Sequence, residues 1–168
     1  MLRRKFALMS ALALLLGAMS AAAVAAPAQA LPVIPVFDSG HVFNGDSPRC
    51  LDSGTPTHAQ LWTCSTSVFQ QWTHRADFGA EPIVGNSPTG CLDEAGTTNG
   101  SGAFLNTCNG SLSQKWIYDG GLSTIVNAAS GLCLDADLGT IGAGGTKVQV
   151  WSCSGGSNQK WEFENQPS

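Results

Sequence analysis

The chain has 168 residues, with 8 basic and 12 acidic side chains, a formal net charge of −4 and six cysteines. This balance leaves no basic patch to hold phosphates, so nucleic acid and anionic membrane surfaces are not expected partners. An even cysteine count favours disulfides over metal ligands if the chain is exported.

Export is what the N-terminus predicts. Met1 to Lys5 carries three positive charges, Phe6 to Ala26 is apolar, and Ala28-Gln29-Ala30 has the small-x-small form of a cleavage site. We read residues 1–30 as a signal peptide cleaved near Ala30, and the protein as secreted. The apolar run is long enough to span a bilayer as an anchor, but it is rich in Ala, Gly and Ser and runs directly into the cleavage motif. Cleavage leaves Leu31 to Ser168 with five basic and 12 acidic residues, a net charge of −7. A chain of that size suits one domain with its own core. No Cys-x-x-Cys pair and no His beside a Cys supports a zinc site, so neither a metal nor a cofactor is expected.

Residues 31–36, Leu-Pro-Val-Ile-Pro-Val, form a Pro-punctuated lead-in without evident chemistry. After them a pattern occurs three times, with copies at about 37–76, 77–119 and 120–165. Cys50, Cys91 and Cys133 are each followed by Leu-Asp, which places Asp52, Asp93 and Asp135 in register. An apolar pair precedes each Cys: Val42-Phe43, Ile83-Val84 and Ile125-Val126. The second cysteines are Cys64, Cys108 and Cys153, and a Trp follows each by eight residues: Trp72, Trp116 and Trp161. Gln70, Gln114 and Gln159 stand two residues before those Trp. The third copy holds the pattern most completely.

Short runs rich in Val, Ile, Leu and Trp, separated by Gly, Ser, Asn and Pro, predict an all-β domain with about four strands per copy. Cysteine-to-cysteine spacing grows from 14 to 17 to 20 across the copies. That growth places a variable loop before the second-Cys strand, where added length costs little. Three equal β units closing about a pseudo-threefold axis suggest a β-trefoil more than a propeller, which needs at least four blades.

Three copies of Cys-Leu-Asp followed by a Cys and Gln-x-Trp resemble the ricin B-type lectins over roughly Val36 to Phe163. The resemblance implies a β-trefoil lectin whose partners are glycans or polysaccharides, galactosides or xylan-type polymers, and which works without catalysis. A monomer that does not insert into membranes is expected. Six cysteines allow fifteen pairings. The equivalence of the copies selects Cys50–Cys64, Cys91–Cys108 and Cys133–Cys153, and the family implies the same intra-repeat bridges. Trp72, Trp116 and Trp161 recur whatever else a copy has lost, which assigns them to the core. The Gln before each is expected to bond backbone in the turn that follows.

Period-two reading of the strand entering each second Cys puts Ala59/Leu61, Ala103/Leu105 and Val148/Val150 inward. Gln60/Trp62, Phe104/Asn106 and Gln149/Trp151 then face outward. An indole can take the C–H face of a pyranose while Asp, Asn and Gln answer its hydroxyls. Carried over from the family, the third-copy site is Asp135, Gln149, Trp151, Asn158 and Gln159. The first copy supplies Asp52, Gln60, Trp62 and Gln70, but Phe69 stands in place of the Asn. In the middle copy Asn106 replaces the ring and Ser113 the Asn, so that site is expected to be dead, with Phe104 a candidate displaced platform.

No catalytic residue is expected. His41, His58 and His74 are scattered, no Gly-x-Ser-x-Gly elbow occurs, and the three Asp occupy separate equivalent positions. Asp93-Glu94 and Asp135-x-Asp137 read as turn residues. The competing classes are a secreted trefoil-type protease inhibitor and an accessory binding module of a glycoside hydrolase system. Asn99-Gly-Ser101 and Asn109-Gly-Ser111 match the glycosylation sequon and are read as incidental.

Overall fold

The computed structural model describes residues 40–55, 57–75 and 79–164. The expected signal peptide and lead-in lie outside them. Each of the three copies contributes four strands, as the apolar runs predict. The first gives β1 (Val42–Asn44), β2 (Ser47–Asp52), β3 (Gln60–Thr63) and β4 (Trp72–Thr73). The second gives β5 (Val84–Asn86), β6 (Thr89–Glu94), β7 (Ser101–Asn106) and β8 (Trp116–Asp119). The third gives β9 (Thr124–Asn127), β10 (Cys133–Ala136), β11 (Thr146–Trp151) and β12 (Trp161–Phe163).

Every pairing is antiparallel and the connections repeat. Within a copy the first strand pairs with the second and the second with the third. The fourth strand pairs with the first strand of the next copy, Trp72 opposite Gly85 and Trp116 opposite Asn127. β12 returns to β1, with Asn44 opposite Trp161, and closes the ring. Short bridges complete it: Gly40 with Trp72, Glu81 with Trp116, and Trp161 N donating to Ser123 O at 2.7 Å. The third strands meet one another, with Leu61 opposite Thr146, Gly102 opposite Gln149, and Ala59 N donating to Ala103 O. The result is a β-trefoil.

The core explains why Trp and Leu recur. Trp72, Trp116 and Trp161 are fully buried, and so are Leu51, Leu92 and Leu134 of the three Cys-Leu-Asp segments. Each indole Nε1 donates to the carbonyl of the Leu in its own copy, at 2.8, 2.8 and 2.9 Å. The ring therefore fills the centre without stranding its polar atom. Burying roughly 200 Å² of indole is worth about 5 kcal/mol at 25 cal/mol per Å², an upper figure. Gly85 packs closely beside Trp72: a Cβ there would meet Trp72 Cζ3 at 3.1 Å, tight enough that the ring would have to shift by a few tenths of an ångström.

Two residues beyond each Trp sit His74, Tyr118 and Phe163, all buried. His74 stacks on Phe163 with centroids 5.4 Å apart, and Tyr118 meets Phe163 edge-on at 5.1 Å. His74 is thus the first copy's member of a ring cluster, rather than the scattered residue of the sequence reading. Burial holds its pKa below the usual histidine value, against smaller raising effects of the Pro82 carbonyl and the Glu81 carboxylate.

Disulfides join Cys50–Cys64, Cys91–Cys108 and Cys133–Cys153, each with a Cα–Cα distance of 5.1 Å. The first Cys of each pair lies across the ladder from the residue two before the second: Trp62, Asn106 and Trp151. Each bridge therefore fixes the strand end that carries the outward position. Among the described residues no helix is long and apolar enough to cross a membrane.

Candidate functional site

Register alone builds most of the third-copy cleft. Asp135 on β10 lies opposite Gln149 on β11, and Gln149 Nε2 donates to Asp135 Oδ1 at 3.1 Å. The short 3-10 turn Ser157–Gln159 brings two further amides to the other oxygen. Asn158 Nδ2 and Gln159 Nε2 donate to Asp135 Oδ2 at 2.8 and 2.9 Å. Three N–H groups thus hold a carboxylate that is 4% exposed. Asn158 also donates to Ala136 O, so its two hydrogens are used while its Oδ1 keeps its acceptor capacity. Trp151, the last residue of β11, is 42% exposed beside this group. The open cleft has a volume of about 400 Å³.

All five residues assigned to the third site from the sequence line this cleft. So do Asp137, Leu138, Ser152 and Ser154, which the repeat comparison did not single out. Leu138 is 63% exposed on the loop before β11, where the copies differ in length and alignment gives no guidance. Asp137 braces that loop by accepting from Gly139 N and Thr140 Oγ1, as a turn residue does, whereas Asp135, read with it as a turn residue, lies buried in strand β10.

Gln159 and Gln70 are tied to the Asp and to the backbone around the second Cys. Gln159 Nε2 donates to Asp135 Oδ2 and to Ser152 O, while its Oε1 accepts from Ser154 N at 2.8 Å. Gln70 does the same with Asp52, Thr63 O and Ser65 N. Gln114 repeats it with Asp93, Thr107 O and Asn109 N. Each Gln straddles the second Cys of its copy and reaches back to the Asp. The expectation that it bonds the following turn is corrected: the backbone it holds precedes it. Both amide hydrogens of Gln70 and of Gln159 are engaged with the Asp carboxylate and a backbone carbonyl.

The first-copy cleft is smaller, about 280 Å³, and is lined by Asp52, Gln60, Trp62 and Gln70 together with Phe69, Gly54, Ser65 and Ser67. Gly54 N donates to Asp52 Oδ1 at 2.7 Å, supplying from backbone a third donor that the third copy takes from Asn158. Gln60 lies further off, at 3.4 Å. Trp62 is 47% exposed and Phe69 39%, so this cleft has two rings where the third has one ring and an amide.

In the middle copy Asn106 Nδ2 donates to Asp93 Oδ2 at 3.1 Å, and Phe104 sits across the ladder from Asp93. Ser113 pairs its hydroxyl with Ser111 at 2.8 Å. Asp93 and Glu94 are not turn residues: both end strand β6 and are buried, because the strand continues inward past the Cys-Leu-Asp. Burial pushes the Glu94 carboxyl up, partly offset by the hydrogen bond from Ser130 Oγ. Among the described residues no group of three or more His, Cys, Asp or Glu side chains is placed to hold a metal ion.

The model of the ricin-type β-trefoil lectin domain matches residues 38–161. Among solved structures, a designed threefold-symmetric protein, ThreeFoil, is 25% identical with a TM-score of 0.67, over 74% of this chain and 96% of that one. An exo-β-1,3-galactanase from Clostridium thermocellum is 29% identical with a TM-score of 0.66, over 77% of this chain but 30% of the enzyme. A non-toxic homologue of type II RIPs from Momordica charantia, in complex with α-methyl-D-galactoside, is 22% identical with a TM-score of 0.63, over 78% of this chain and 49% of that one. This chain therefore spans half or less of the last two. No curated protein sequence matches it. The chain belongs to the ricin-type β-trefoil lectin family.

Proposed function

We propose that the protein binds glycans, chiefly in the third-copy cleft, with the first-copy cleft as a weaker second site. One observation carries this reading: the exposed indole of Trp151 stands beside a carboxylate already fixed by three amide donors. A pyranose laid on the ring would find Asp135 and the Asn158 Oδ1 as acceptors for its hydroxyls, with little side-chain entropy left to lose. Membership of a lectin family supports carbohydrate binding in general. Galactosides and xylan-type polymers are the ligand classes we favour, and the likeness to a galactanase makes β-1,3-galactan a natural probe.

Binding without catalysis fits the same geometry. Each of Asp52, Asp93 and Asp135 is held by amides of its own copy, so these three carboxylates are not paired with one another as glycoside hydrolysis requires. We read this chain itself as the binding module, exported by removal of residues 1–30. A single site of this type sits near millimolar, about −4 kcal/mol, and two on one rigid body gain on a multivalent glycan.

A glycan array carrying galactosides, β-1,3-galactan and xylan fragments tests the reading. Wild type should bind without turnover, and Trp151→Ala should lose most of the signal. Undiminished binding by that variant would overturn the site, and inhibition of a protease panel without glycan binding would favour the inhibitor class.

A further inference from the structure

We propose that the middle copy braces the third-copy platform, with Asn99 the positioning residue for Trp151. This rests on the glycan-site reading above and deepens it. The loops before β3, β7 and β11 vary in length, and the sequence places them at the surface as free connections. Two of them do more: each braces the outward Trp of another copy.

Residues 95–100 run beside β11. Gly100 N donates to Val150 O at 2.9 Å, and Lys147 Nζ donates to Gly100 O at 2.6 Å. Asn99 Oδ1 accepts from both Ser152 N and Ser152 Oγ, at 2.8 and 3.1 Å. Gly100 has φ +87°, and a Cβ built on it would lie 3.5 Å from Trp151 Cζ3, so the loop backbone lies against the indole edge. Ser152 follows Trp151 directly, and its carbonyl accepts from Gln159, which also holds Asp135. One acceptor on the middle copy therefore ties the platform and the carboxylate clamp together.

The first copy has the same arrangement built from other residues. The loop before β11 places Gly144 so that a Cβ would meet Trp62 ring atoms at 3.0–3.3 Å. Arg49 Nη1 donates to Thr63 Oγ1, the position equivalent to Ser152, and Arg49 Nη2 donates to Gly142 O at 2.9 Å. In both cases the bracing loop comes from the preceding copy around the ring. Different side chains twice set a loop glycine of the preceding copy against an outward Trp, which ties the bracing to the platforms.

Fluorine NMR of the protein labelled with 5-fluorotryptophan tests this without a known ligand. The chain has five Trp, and Trp151→Phe and Trp62→Phe assign the two surface resonances. Asn99→Ala should shift or broaden the Trp151 line and leave the Trp62 line in place. Asn99→Asp, which keeps an oxygen acceptor, should restore it. On immobilised xylan and β-1,3-galactan, Asn99→Ala should weaken binding roughly fivefold, the scale of one ordinary hydrogen bond. A Trp151 line in Asn99→Ala that superimposes on wild type would overturn the inference, as would equal disturbance of the Trp62 line. If Trp151→Ala keeps full retention, the glycan-site reading fails while the NMR result still decides the positioning role.

Discussion

The third and middle copies share one frame and differ in what stands on it. Both have the disulfide, the indole bond to the Leu carbonyl, and the Gln that straddles the second Cys and reaches the Asp. In the third copy the carboxylate faces a cleft with Trp151 at its side. In the middle copy Asn106 stands where the ring would be and donates its amide to Asp93. The Asp anchors the Gln clamp in every copy, and in the proposed reading it meets a ligand only where the ring and the second amide are present. A repeated Asp is thus poor evidence of a site by itself.

Reduction attacks the frame in all copies at once and should have the largest effect. A bridge closing a loop of this size is worth about 3 kcal/mol in the chain-entropy model. Thermal unfolding in strong reductant should show a large fall in Tm, and an unchanged Tm would contradict the frame. Restoring the site on the existing frame is a smaller change. Asn106→Trp with Ser113→Asn should give the middle copy a measurable glycan site of about millimolar strength, detected in a Trp151→Ala/Trp62→Ala background. Continued absence of binding there would mean that the cleft needs more than the ring and the amide.

The smallest effect concerns the ring cluster, where the copies carry His74, Tyr118 and Phe163. Because the folded state disfavours protonated His74, the unfolded chain binds the extra proton first. Stability should be full above the ordinary value of 6.5 and fall as pH drops below it towards the lowered folded value. His74→Phe should remove that loss. Glu94, pushed upward by burial, acts with the opposite sign as pH falls towards 4.5, so the comparison is made between His74→Phe and wild type in parallel urea melts. Identical pH profiles would contradict the assignment.

Much of this was legible because symmetry repeats evidence. Cys50, Cys91 and Cys133 in register gave the bridges, and period two on β3, β7 and β11 separated Leu61 and Val150 from Trp62 and Trp151. What escaped depends on contacts between copies or on side-chain direction. The Gln amides point back across the second Cys, a choice that spacing does not encode. Asn99 braces the platform of another copy, and Arg49 on β2 ties its own copy's platform strand to the loop before β11, so both contacts run through loops whose unequal lengths defeat alignment. Glu94 is buried because its strand runs on, though its neighbours in sequence look like a turn.

The most direct test of the central claim is titration calorimetry of wild type, Trp62→Ala and Trp151→Ala with the glycan that the array ranks first. The account predicts that Trp151→Ala loses most of the binding heat and affinity while Trp62→Ala is only weakened, with both variants melting close to wild type. Wild-type affinity in Trp151→Ala would contradict it.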